Sequence, residues 1–274
     1  MIVDYHMHLR SPREDSEQID HTVAAVQAFV ERAAACGVDE IGFTEHIYYF
    51  RQTRRLWHLP YQLERCVHDL DVYCGAVLEA KRRGLPVKLG IEADWVPDAV
   101  EELRGLLAGY PFDFVLGSVH WLDGEAVDAL PGIWATTPVE EVWRRYFAAL
   151  AAAAGSGLYD VLSHPDVVKI FRHRPSPSVV AELHGEAAGA IAASGVAVEI
   201  STAGLHKPVG ELYPDPALLA AFRSAEVPIT LASDAHVPSH VGRDLDRAVE
   251  LARAVGYDTV SVFDGRSRRQ EPLG

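Results

Sequence analysis

Short apolar runs rich in β-branched and aromatic residues alternate along this chain with longer stretches of helical periodicity. Residues 2–5, 40–44, 87–91, 112–119, 160–162, 197–200, 228–232 and 259–262 read as strands. Between them, residues 21–36, 64–83, 138–154, 178–194, 216–225 and 242–255 carry apolar positions at helical spacing. Gly37 and the Gly84-Leu85-Pro86 segment end the first two helices, and Thr136-Thr137-Pro138 opens a later one in the manner of an N-cap. Repeated βα units with buried strands predict a parallel sheet. Residues 47–61 interrupt the alternation and are expected to form a long loop over one end of it.

Composition narrows the class. With 274 residues, 49% of them hydrophobic, the chain can bury a large core. An α/β barrel commonly takes about 250 residues as one domain, so a single domain over residues 1–274 is expected, leaving a tail from about 265 free to be flexible. The formal charge is −14, without the basic stripe that nucleic-acid binding requires, so no nucleic-acid partner is expected. Three cysteines at scattered positions give neither a disulfide framework nor a thiolate zinc site. They suit a reducing cytoplasm, and neither a leader nor a membrane-spanning stretch is expected. Oligomeric state is not readable.

The chemistry lies at the strand ends. Nearly every expected strand finishes in a potential metal ligand: His6 and His8, Glu45 and His46, Glu92, His120, His164, Glu199, then Asp234 and His236. In an extended segment the i, i+2 spacing of His6 with His8, and of Asp234 with His236, sends both side chains to one face. In a barrel the C-terminal strand ends converge, so these remote residues can meet. Glu92 is the natural carboxylate to bridge two cations, because each oxygen can take one. Structural zinc takes four closed ligands, and this chain offers about twice that number, which favours catalysis over a purely structural metal module.

The segments Asp4-Tyr5-His6-Met7-His8, Gly42-Phe43-Thr44-Glu45-His46, Gly90-Ile91-Glu92, Gly117-Ser118-Val119-His120, Ser163-His164-Pro165 and Ser233-Asp234-Ala235-His236 resemble those of the polymerase and histidinol phosphatase (PHP) superfamily. Residues 199–205 and 207–214 are similar to its histidinol-phosphate phosphatase branch. The resemblance implies a distorted (β/α)7 TIM-like barrel with three divalent transition-metal ions, zinc, iron or manganese. It implies that His6, His8, Glu92 and Asp234 hold one ion, Glu92, His120 and His164 a second, and His46 with His236 a third. The family's further third-site ligand is missing from residues 9–13. His21 is the expected substitute, with Glu14, Asp15 and Glu45 as alternatives.

The implied reaction is hydrolysis of L-histidinol phosphate, a step of histidine biosynthesis, by a hydroxide shared between two ions. Glu92 then serves as the catalytic bridge, and Asp234 or His236 protonates the departing alkoxide. Arginine and lysine grip phosphate best, which makes Lys169, Arg172 and Arg54 candidates for it, each with an ordinary surface charge as the alternative. Glu199 and His206 are candidates for the amine or imidazole, or for satisfying buried backbone. Another small phosphate ester or a nucleotide is the competing substrate.

Overall fold

In the computed structural model, residues 1–9 and 19–274 are described. Seven strands form one parallel sheet in chain order: β1 (Val3–Asp4), β2 (Glu40–Phe43), β3 (Val87–Asp94), β4 (Phe114–Ser118), β7 (Val161–Leu162), β8 (Ala197–Ser201) and β9 (Ile229–Ala232). Two short strands, β5 (Trp121–Leu122) and β6 (Glu125–Ala126), make a separate hairpin after β4. The sheet curls until its edges meet: Tyr5 N donates to Leu231 O at 3.0 Å, and Met7 bridges Ala235 in parallel. The result is the expected seven-stranded, nearly closed α/β barrel.

Helices α1 (Val23–Ala35), α3 (Leu70–Arg82), α4 (Val100–Leu107), α5 (Val139–Gly155), α6 (Pro177–Ser194), α7 (Pro216–Ser224) and α8 (Leu245–Ala254) connect the strands; a short helix, α2 (Pro60–Arg65), precedes α3. Their boundaries have local causes. Thr22 caps α1 by accepting from Ala25 N, and Asp215 caps α7 by accepting from Ala217 N and Leu218 N. The helix expected over 64–83 is broken in two, because the Asp69 carboxylate accepts from Asp71 N and starts a new helix there. Helix α4 escaped the sequence reading. The expected loop over 47–61 contains two short 3-10 turns and the start of α2.

The chain's C-terminus differs from expectation. Strand β10 (Thr259–Asp264) does not join the barrel sheet but pairs antiparallel with β11 (Ser267–Pro272), so the residues read as a tail form a strand. Gly265 and Arg266 turn between them with φ of 53° and 66°, the geometry of a two-residue hairpin turn. Val260, Val262 and Phe263 are thereby buried at the foot of the barrel, where Phe263 stacks on Phe114. Among the described residues no helix is long and apolar enough to cross a membrane.

Candidate metal centre

The seven strands point their C-terminal ends to one mouth, and the strand-end ligands converge there. His6 and His8 leave β1 on one face, both buried. Glu92 lies within β3 and forms the centre. Its Oε2 is 3.4 Å from His6 Nε2, 3.7 Å from His8 Nε2 and 2.6 Å from His46 Nδ1. Its Oε1 is 3.5 Å from His120 Nε2 and 3.3 Å from His164 Nε2, and accepts from Ser118 Oγ at 2.6 Å. From β9, Asp234 brings Oδ1 to 3.4 Å from His8 Nε2 and 3.7 Å from His6 Nε2. Both His164 and Asp234 hold positive φ, 22° and 55°, a backbone posture non-glycine residues adopt rarely and that turns these side chains inward.

Among the described residues, three groups of donors lie close enough to share an ion: His6, Glu92 and His164; His6, His8 and Asp234; and His8, His46 and His236. The donors themselves test whether a metal fits. His6 Nε2, both ring nitrogens of His8, His21 Nε2, Glu45 Oε2 and His164 Nδ1 are buried without a hydrogen-bond partner, and His46 Nδ1 faces Glu92 Oε2 at 2.6 Å without the geometry of a hydrogen bond. Buried polar atoms left so are rare and expensive, about 1–3 kcal/mol each, unless something binds them. His120 Nε2 and His164 Nε2 meet at 3.2 Å. The opposite ring nitrogens are tied down: His6 Nδ1 donates to Glu199 Oε2 at 3.0 Å, and His120 Nδ1 donates to Asp94 Oδ1 at 2.8 Å. A carboxylate on one nitrogen that leaves the other facing inward is the usual setting of a metal-ligating imidazole. The donor set fits divalent cations.

Charge tells the same story. Burial alone would push the Glu92 carboxyl up, but the imidazoles of His46, His6 and His120 outweigh it and hold it well below the usual range. Asp234 is held down against burial by His6, His236 and His8 in the same way. Burial disfavours an imidazolium at His120, yet Glu92 and Asp94 push it up to about 10. Buried carboxylates at this density demand positive charge, and metal ions supply it without protons.

The other sequence candidates separate. His21 sits beside Glu45, its Nε2 3.5 Å from Oε1, and stacks on Phe50. Glu45 in turn faces His8 Nδ1 at 3.6 Å and accepts from Leu9 N, so it stands between His21 and the three donor groups, none of which includes either residue. Glu14 and Asp15 lie outside the described residues. Lys169 does not reach the mouth: it is wholly buried and donates to Asp166 and to Leu212 O at 2.8 and 2.7 Å, bracing the loop after β7. Glu199 is likewise committed, accepting from His6 Nδ1 at 3.0 Å and from His164 N at 2.7 Å. Arg54 donates to Leu63 O on the surface, and Arg172 is exposed; neither borders the clefts at the mouth. His206 does.

Two open clefts meet at His236. One, of about 410 Å³, is bordered by His206, Lys207, Asp234, His236, His240 and Arg243. The other, of about 300 Å³, is bordered by His46, Tyr48, Tyr61, His120, Trp121 and Asp128 among others. Lys207, Arg243 and Asp128 were not singled out as site residues from the sequence: Lys207 entered only within the 207–214 segment, Arg243 lay inside the helix expected over 242–255, and Asp128 follows the β5–β6 hairpin, where periodicity carries no signal.

The PHP domain family model matches residues 5–203. A probable histidinol-phosphatase of Deinococcus radiodurans is 32% identical over 255 residues, covering 92% of this chain and 94% of that protein. A histidinol-phosphatase of Lactococcus lactis is 26% identical, covering 96% and 94%. Among solved structures, a histidinol phosphate phosphatase from Lactococcus lactis, complexed with zinc, L-histidinol and phosphate, superposes with a TM-score of 0.74 at 24% identity, covering 98% of each chain. A putative histidinol phosphatase from Listeria monocytogenes gives 0.75 at 19% identity, covering 89% of this chain and 99% of that one. The sequence matches and the converging strand-end ligands agree: this chain belongs to the PHP domain family.

Proposed function

We propose that this protein is a metal-dependent phosphomonoesterase that hydrolyses L-histidinol phosphate to L-histidinol and phosphate. The observation that carries the reading is the set of buried, partnerless donors around Glu92, at the mouth of a barrel whose relatives over nearly the whole chain are histidinol-phosphatases. Three ions are proposed, distributed over these donor groups and His120 so that each ring nitrogen serves one ion. Zinc, iron and manganese all suit imidazole and carboxylate together, and zinc is the ion in the Lactococcus lactis structure. Bound there, such ions would act as Lewis acids on the phosphoryl oxygens and make water nucleophilic near neutral pH.

The chain's own residues do the rest. Glu92, with His6, His8 and His46 near one carboxylate oxygen and His120 and His164 near the other, would help hold the ions. Glu199 and Asp94 hold His6 and His120 in the tautomer that keeps Nε2 available. Lys207 and Arg243, on the border of the larger cleft, complement the charge that builds on the phosphoryl oxygens as the ester bond to phosphorus breaks. Asp234 is held ionised by its imidazole neighbours and has no proton to give, so proton delivery to the departing alkoxide falls to His236, which borders that cleft. Phosphate release from L-histidinol phosphate should therefore disappear on chelation and return on adding zinc or manganese. Turnover unchanged in metal-stripped protein would refute the reading.

A further inference from the structure

The two clefts that meet at His236 differ in what lines them beyond the metal centre. The larger has Asp234 of the centre on its border and, beyond it, Lys207, Arg243, His206 and His240. The smaller is walled by Tyr48, Tyr61 and Trp121, and Asp128 is the one carboxylate on its border. Its aromatic side chains form a continuous wall: ring centroids lie 5.9 Å apart between Tyr48 and Tyr61 and 5.4 Å between Tyr61 and Trp121. The Arg65 guanidinium sits 3.6 Å from the Tyr61 ring centre and fixes that ring from one face. Asp128 is exposed and makes no hydrogen bond or ion pair with another described residue.

We infer that the smaller cleft is the subsite for the cationic organic end of the substrate, with Asp128 as its counter-charge and determinant of specificity. The inference rests on the reading of this site as a phosphatase for an amino-alcohol phosphate. Aromatic faces beside a carboxylate recognise ammonium and imidazolium groups and repel anions. With the phosphoryl group at the metal centre and Lys207 and Arg243 on the other cleft, a substrate with one anionic and one cationic end is favoured with its cationic end in the smaller cleft. The imidazole end then lies against Tyr48 and Trp121, and its positive charge faces Asp128. Metals grip any phosphate about equally, so discrimination among esters has to come from such contacts.

The test is Asp128→Asn in the metal-replete enzyme, a change at an exposed position that leaves the metal donors intact. KM for L-histidinol phosphate should rise about tenfold with little change in kcat, the loss expected for one partly solvated charge-assisted contact. Turnover of p-nitrophenyl phosphate, which has no cationic end, should be unchanged. Binding of L-histidinol itself, measured by calorimetry, should weaken by a similar factor. Equal losses on both esters, or undiminished affinity for L-histidinol, would overturn the assignment. A parent enzyme that turns over neither ester would refute the phosphatase reading beneath it, and L-histidinol binding would then decide the subsite alone.

Discussion

Glu199 and Glu92 are both buried glutamates in parallel strands, yet they do different work, and the difference lies in which atoms surround them. Glu92 is ringed by imidazole nitrogens, whereas Glu199 accepts an N–H from His6 and the backbone N–H of His164. Replacing Glu199 by Gln keeps the shape but weakens the grip on His6. Metal affinity should fall about 10–100-fold, the usual consequence of losing a partner behind a ligating histidine, while the circular dichroism stays that of the parent. Unchanged metal affinity would return Glu199 to the substrate role read from sequence. His21 makes a second case: Glu45 separates it from the donor groups, so His21→Ala should lower metal content less than His46→Ala, as read by elemental analysis. Equal losses would make His21 a ligand.

The strand-end histidines and acids were legible residue by residue, since the rule that buried strands end at one mouth needs only strand positions. What the sequence withheld was direction. Lys169 follows His164 closely enough to suggest a phosphate contact, but only the fold shows its ammonium spent on Asp166 and Leu212 O.

At the scale of elements, the barrel strands were readable because each is a short apolar run with its own turn signals. The strand over 259–262 was found, but its partner was not, because periodicity does not say which neighbour a strand will pair with. The clue was the Asp264-Gly265 pair, a strong short-range hairpin signal. Gly265 holds φ of 53°, so Gly265→Val forces a branched side chain into the left-handed region and should cost about 1–2 kcal/mol. A denaturant midpoint indistinguishable from the parent would show that the turn tolerates the strain. The break before α3 was missed because it depends on local capping at Asp69 while a helical period continues across it, and helix α4 was missed because it is only eight residues long and has no side-chain cap to mark its start.

The whole molecule carries a formal charge of −14, which ordinarily repels phosphate esters. The proposed metal ions and the basic residues of one cleft would reverse the field at the mouth, while Asp128 and the aromatic wall would suit the second cleft to a cation. Fold class, the single barrel and most of the donor set follow from the order of elements, whereas the two clefts follow from loops whose course only the folded chain defines. The central claim is therefore one of specificity, and it is tested most directly by kcat/KM of the metal-replete enzyme on L-histidinol phosphate relative to p-nitrophenyl phosphate and a sugar phosphate. The account predicts a preference for L-histidinol phosphate of at least about tenfold over either, since one charge-assisted contact in the organic subsite contributes that much. Equal efficiency on all three esters would contradict it and leave only a general metal phosphoesterase.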